Sequence, residues 1–147
     1  MREPLLKIIK ADPRIELPKY ESEGAAGMDL RAFIDGDISI PPFGRKKIPT
    51  GLKIEIPQGY EGQVRPRSGL AIKSGITVLN SPGTIDCDYR GDLEIIIVNL
   101  SAQDVIIKDG DRIAQLVVAP VCRVQLKETD TLAPTQRGGG GFGSTGL

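Results

Sequence analysis

Apolar side chains fall on every second position in several short stretches of this chain. Met28, Leu30, Ala32 and Ile34 are spaced in this way, with Asp29 and Arg31 between them and Asp35 closing the run. Leu52, Ile54 and Ile56 alternate with Lys53 and Glu55, and Pro57-Gln58-Gly59 stops the pattern. A period of two predicts strands with one face buried and one in water. Ile95-Ile96-Ile97-Val98 is continuous instead, which predicts a strand covered on both faces. Lys108-Asp109-Gly110-Asp111 reads as a turn between Val105-Ile106-Ile107 and the apolar stretch Ile113 to Val118. Runs of this kind between residues 5 and 128 amount to about ten short strands, so the expected fold is all-β: a sandwich, jelly roll or barrel.

One segment departs from this pattern. Ser68-Gly69-Leu70-Ala71-Ile72-Lys73-Ser74-Gly75 opens with a residue suited to an N-cap and ends on a C-cap glycine. It predicts a single two-turn helix over about 68–74. The stretch from Ala133 to Leu147 holds six glycines and few apolar side chains, so it cannot pack as a core element. The expected organisation is a β domain over residues 1–132 and a mobile, Gly-rich C-terminal arm over 133–147.

Composition narrows the chemistry. The chain has 147 residues, 18 of them Gly and 11 Pro, which suits one turn-rich domain. It contains no His, so a Ser-His-Asp or Cys-His nucleophile pair and the HExxH zinc site are all excluded. Any catalytic base must be a carboxylate, Lys, Tyr or Cys, and any metal must take oxygen ligands. Nineteen basic and nineteen acidic residues cancel, leaving no global field to hold duplex DNA. Cys87 and Cys122 are too few for a disulfide scaffold. Met1 to Pro13 carries no signal-peptide core, and no apolar run approaches the ~20 residues of a membrane span. The expectation is a soluble, cytoplasmic domain with no nucleic-acid or membrane partner.

Four constellations carry candidate chemistry. Arg65-Pro66-Arg67-Ser68-Gly69 places guanidinium groups, a hydroxyl and free helix-start amides together, which suits phosphate; two solvated arginines before a surface helix are the plain alternative. Asn80-Ser81-Pro82-Gly83-Thr84-Ile85-Asp86-Cys87-Asp88-Tyr89-Arg90-Gly91 reads as a tight hairpin, with Asp86 and Asp88 on one face of its returning strand. Inward backbone N–H and C=O groups there can read the edge of a flat base, and an Asp can orient a water; a turn with two solvated acids is the alternative. Gly110-Asp111-Arg112-Ile113-Ala114-Gln115-Leu116 gives a turn and a strand interrupted by Arg112 and Gln115, a pattern that ordinary strands also show. Arg137 to Gly146 combines glycines able to wrap a polyphosphate with Phe142, able to stack on a base, although plain disorder gives the same composition.

Taken in order, with Ala26-Gly27-Met28-Asp29-Leu30-Arg31-Ala32 ahead of them, these segments resemble the five motifs of the trimeric dUTPases, over residues 17 to 146. The resemblance implies a β jelly roll and Mg²⁺-assisted hydrolysis of dUTP to dUMP and pyrophosphate. It also implies a homotrimer with shared sites: motifs one, two and four from one subunit, the third from a neighbour, the fifth from the arm of the remaining subunit. Asp86 matches the Asp that activates the attacking water, and Asn80, Gly83 and Thr84 the hairpin that reads uracil. Tyr89 matches the ring under the deoxyribose, and Arg67, Ser68, Gly69 and Gln115 the phosphate contacts. Arg137, Phe142, Gly143, Ser144 and Thr145 match the lid over the γ-phosphate and uracil. Asp29 matches a carboxylate that supports the water shell of a Mg²⁺ carried mainly on the substrate phosphates. Related dCTP deaminases resemble the chain less, and a nucleotide-responsive module without catalysis would not need Asp86, Ser68 and the whole arm.

Overall fold

The computed structural model describes residues 3–143. Its ten strands and one helix follow in order: β1 Lys7–Lys10, β2 Met28–Arg31, β3 Ile38–Ile40, β4 Arg45–Glu55, β5 Tyr60–Arg65, α1 Ser68–Ser74, β6 Ile76–Val78, β7 Gly83–Ile85, β8 Asp92–Asn99, β9 Val105–Ile107 and β10 Arg112–Pro120. Two four-stranded antiparallel sheets, ordered β1-β4-β8-β6 and β2-β10-β5-β7, are accompanied by a β3-β9 ribbon. Both large sheets contribute to one buried apolar cluster, with Ile48, Ile95 and Ile97 from the first and Leu30, Val64 and Leu116 from the second. The sheets are open, and the fold is the mostly-β, jelly-roll-like one expected.

Alternation chose the buried faces as expected: Met28, Leu30, Ala32, Leu52, Ile54 and Ile56 are all buried. The β8 run is covered on both faces only at its far end. Ile95, Ile97 and Val98 are buried, whereas Ile96 is half-buried because the neighbouring strand stops short of it. β4 carries a bulge between Pro49 and Leu52, where Pro49 lacks the N–H to continue the ladder and Gly51 takes φ 68°. Buried Thr50 satisfies the bulge: its Oγ1 donates to Leu93 O at 2.6 Å and accepts from Leu52 N at 3.3 Å.

At the far end of β8 the fully buried Asn99 donates from Nδ2 to Ile40 O and Gln103 O, at 2.8 and 2.7 Å. Its Oδ1 accepts from the Ser101 N–H and hydroxyl, so every polar atom of this amide has a partner. The helix spans the expected residues and is followed by Gly75 at φ 65°; only the identity of its N-cap is corrected. Arg67, in extended conformation, occupies the N-cap position without a side-chain capping bond, and Ser68 is the first helical residue. The Ser68 hydroxyl is therefore not spent on capping. Residues 121–143 form no helix or strand. Among the described residues both thiols are free, and no helix is long and apolar enough to cross a membrane.

Candidate active site

The strand order β2-β10-β5 assembles the first group of candidate residues. Gln115 on β10 stands opposite Asp29 on one side and Arg65 on the other, so residues far apart in sequence share one face. Asp29 is largely buried and is held by two guanidinium groups: Arg67 Nε donates to its Oδ1 at 2.9 Å and Arg112 Nη1 to its Oδ2 at 3.3 Å. Gln115 Nε2 donates to Pro66 O at 3.0 Å and so braces the loop that carries Arg67. Gly27 packs closely under this side chain: a Cβ there would stand 2.6 Å from Gln115 Oε1 and push the amide aside. Ser68 and Gly69 lie exposed at the start of α1, where the first amides have no intrahelical acceptor. Two cations around one carboxylate, with a hydroxyl and free amides beside them, are groups of the kind that can receive an anion. Arg112 was read from the sequence only as a polar interruption of a strand; the bulge between Arg112 and Ala114 turns its guanidinium toward Asp29.

The second group lies around the hairpin that includes β7. A cleft of about 270 Å³ is lined there by Asn80, Gly83, Thr84, Asp86 and Tyr89, and by Glu94 of β8. β7 pairs with β5, Val64 opposite Gly83, and a Cβ on Gly83 would press to 3.3 Å against Asn80 Nδ2 and Val64 Cβ. The turn at residues 80–83 includes a cis Ser81–Pro82 bond. β6 ends at Val78, and Leu79 N makes the last bond to Ile96 O, so the edge of β8 beyond Ile96 faces the cleft.

Tyr89 is pinned beside this edge by its hydroxyl, which donates to Asp92 O at 3.0 Å, and by Gly91, where any side chain would collide with the phenol. The expectation that Asp86 and Asp88 share a strand face does not hold. β7 ends at Ile85, and the chain turns with Tyr89 N donating to Asp86 O at 3.1 Å. Asp86 lines the cleft and Asp88 does not.

Asp29, at the far end of the sheet order, stands apart from the hairpin on one chain. Asp29 lies on β2 and the hairpin follows β7, three strand spacings or roughly 14 Å apart. From the arm, Arg137, Phe142 and Gly143 line neither group; Arg137 Nε donates to its own Gly140 O at 2.7 Å, and the Phe142 ring is fully exposed. Ser144 and Thr145 lie outside the described residues. Sequence reasoning missed Lys47, Asp92 and Glu94 in the cleft wall, of which Lys47 and Glu94 are joined by an ion pair of 2.6 Å. Lys47 sits in an Arg45-Lys46-Lys47 run that reads as solvated surface, and only the β4–β8 register brings it to the cleft.

A cleft of this size is slightly smaller than the roughly 300–1,000 Å³ of drug-sized ligand pockets. A space of that volume is large enough for a flat ring with a small group attached and too small for a long polyanion as well. A cleft beside an exposed carboxylate and a cluster of guanidinium groups on an all-β frame are the features to set against known proteins. A profile of the dUTPase family matches residues 13–146, and the chain belongs to that family. Deoxyuridine 5'-triphosphate nucleotidohydrolase of Rhizobium etli (strain CIAT 652) is 57% identical over 135 residues, covering 90% of this chain and 86% of that protein. The protein of that name from Hydrogenobaculum sp. (strain Y04AAS1) is 53% identical over 143 residues, covering 97% of both. Among solved structures, the Staphylococcus bacteriophage 80alpha dUTPase with dUpNHpp superposes with a TM-score of 0.83 at 26% identity, over 97% of this chain and 99% of that one.

Proposed function

We propose that this chain hydrolyses dUTP to dUMP and pyrophosphate, limiting uracil in DNA and supplying dUMP for thymidylate synthesis. The observation that carries the reading is Asp86 at a base-sized cleft in a chain of the dUTPase family. Asn80, Gly83, Thr84 and the open edge of β8 bind the pyrimidine, and Tyr89 packs against the deoxyribose. Arg67, Ser68, Gly69 and Gln115 hold the phosphates. Asp86 accepts a proton from a water that attacks the α-phosphorus in line; the bond from that phosphorus to the bridging oxygen breaks, and pyrophosphate leaves. Such a transfer depends on positioning and charge neutralisation more than on covalent chemistry.

Mg²⁺ fits this donor set in one way. Both Asp29 oxygens are taken by arginines, and among the described residues no three acidic or Cys side chains form a cage. Asp29 would therefore meet the hydrated ion through water, while Mg²⁺, which prefers oxygen ligands and keeps several waters, would supply charge neutralisation on the phosphates.

The homotrimer belongs to the same proposal. Asp29 lies three strands from the cleft hairpin on one chain, and Val124, Leu126 and Leu132 stand more than 70% exposed on a stretch without secondary structure. A second copy would cover those side chains and bring its patch to this cleft, with the arm of the third closing over both. Cytoplasmic location, and the absence of nucleic-acid or membrane partners, complete the reading. The test is incubation with dUTP, dCTP and dTTP plus Mg²⁺, following pyrophosphate and ammonia, alongside light scattering. Pyrophosphate from dUTP alone is expected, at a mass three times the 15.8 kDa of the chain. Ammonia from dCTP, or tight dUTP binding without turnover, would sink it.

A further inference from the structure

The Lys47–Glu94 pair has no part in the chemistry described so far, yet both residues line the base cleft. β4 and β8 are antiparallel with Lys47 opposite Ile96, so Lys47 and Glu94 are diagonal neighbours on one face of the sheet. Nζ and Oε2 stand 2.6 Å apart, with side chains 67% and 27% exposed. A pair so open to water contributes little to stability. Its effect on the cleft is larger, because Asp86, Asp92 and Glu94 all line it and Lys47 is the one cation among its described lining residues. Glu94 raises the pKa of the Lys47 ammonium, chiefly by direct hydrogen bonding.

We propose that this ion pair sets the base preference of the cleft. By tying down the Glu94 carboxylate and offering its own remaining N–H donors, Lys47 makes the lip favour a pyrimidine with a carbonyl at position 4 over one with an amino group there. An ionised carboxylate only accepts hydrogen bonds, whereas an ammonium only donates them. Freed from Lys47, Glu94 would repel a uracil carbonyl and attract the amino group of cytosine. Specificity is a difference between two affinities, and a misplaced charge is an effective way to create one. The inference rests on the pyrimidine reading of the cleft but not on turnover.

The experiment uses the full-length chain with Lys47→Met, Lys47→Arg, Glu94→Gln and the Lys47→Met/Glu94→Gln double variant. Binding of dUMP and dCMP is measured by titration calorimetry, beside kcat/KM on dUTP. Lys47→Met should weaken dUMP about tenfold while dCMP stays within about twofold, and the double variant should regain dUMP affinity to within about threefold of the parent. Lys47→Arg and Glu94→Gln should keep the preference, and its loss in either overturns the proposal even if Lys47→Met does not fold. Equal weakening of both nucleotides, or a double variant as weak as Lys47→Met, overturns the proposal, since a structural pair would not discriminate between bases. A parent that binds dUMP without hydrolysing dUTP sinks the hydrolase reading and leaves the pair to be judged by binding. A parent that binds neither nucleotide sinks both.

Discussion

Replacing Asp86 by Asn should leave nucleotide affinity within a few-fold of the parent and lower kcat by about two to four orders of magnitude, the usual contribution of a positioned general base. Asn keeps the shape and hydrogen-bonding reach of Asp but cannot accept a proton from water. The substitution should cost little stability, because Asp86 is exposed and the bond recorded for it, to Tyr89 N, uses its backbone oxygen. The fold separates this carboxylate from its neighbour: the strand ends before Asp86, and the turn that follows carries Asp88 away from the cleft. Asp88→Asn should therefore behave like the parent. Pyrophosphate release gives kcat, and calorimetry with dUpNHpp gives affinity without turnover. If Asp88→Asn loses turnover and Asp86→Asn keeps it, the assignment of the base is wrong.

Deleting residues 136–147 should leave a folded chain with an unchanged melting temperature and a kcat lower by about a hundredfold or more. An arginine brought to a transferring phosphoryl group is worth roughly 10³–10⁵ in rate, and stacking on a base about 1–3 kcal/mol. The arm supplies Arg137 and Phe142. In the subunit described here neither lines the cleft, and Phe142 is fully exposed, so removing them takes little from the core. Calorimetric melting and steady-state turnover on the same preparation separate the two effects. Turnover at the parental rate would rule out the lid.

Much of the fold was legible because a period of two is a local signal. Met28, Leu30 and Ala32 needed nothing beyond their own spacing to be placed inside, and Gly75 announced the end of the helix. Pairing is not local. Nothing in the text of β4 says that it lies between β1 and β8, and that choice determines that Lys47 meets Glu94 across two strands. Asn99 was invisible for a related reason: its partners, Ile40, Ser101 and Gln103, come from both sides of a buried junction. The site residues were legible as residue types in order. Their geometry was legible only in part: Asp86 and Asp88 read alike until the strand proved to end at Ile85, and Arg112 until its bulge proved to turn it toward Asp29.

The unpartnered run from Val121 to Leu132 has a consequence for mixed populations of the protein. Under the trimeric reading, each catalytic centre draws on three copies, and a copy outside the assembly leaves those apolar side chains in water. Catalytic competence then depends on abundance rather than on sequence alone. One defective copy that still assembles, carrying a sound cleft but a crippled arginine patch, disables the single centre that its patch serves, while its cleft still works with a neighbour's intact patch. Damage that spares assembly would thus lower activity in proportion to the defective copies present, and two chains with different defects could restore a centre between them.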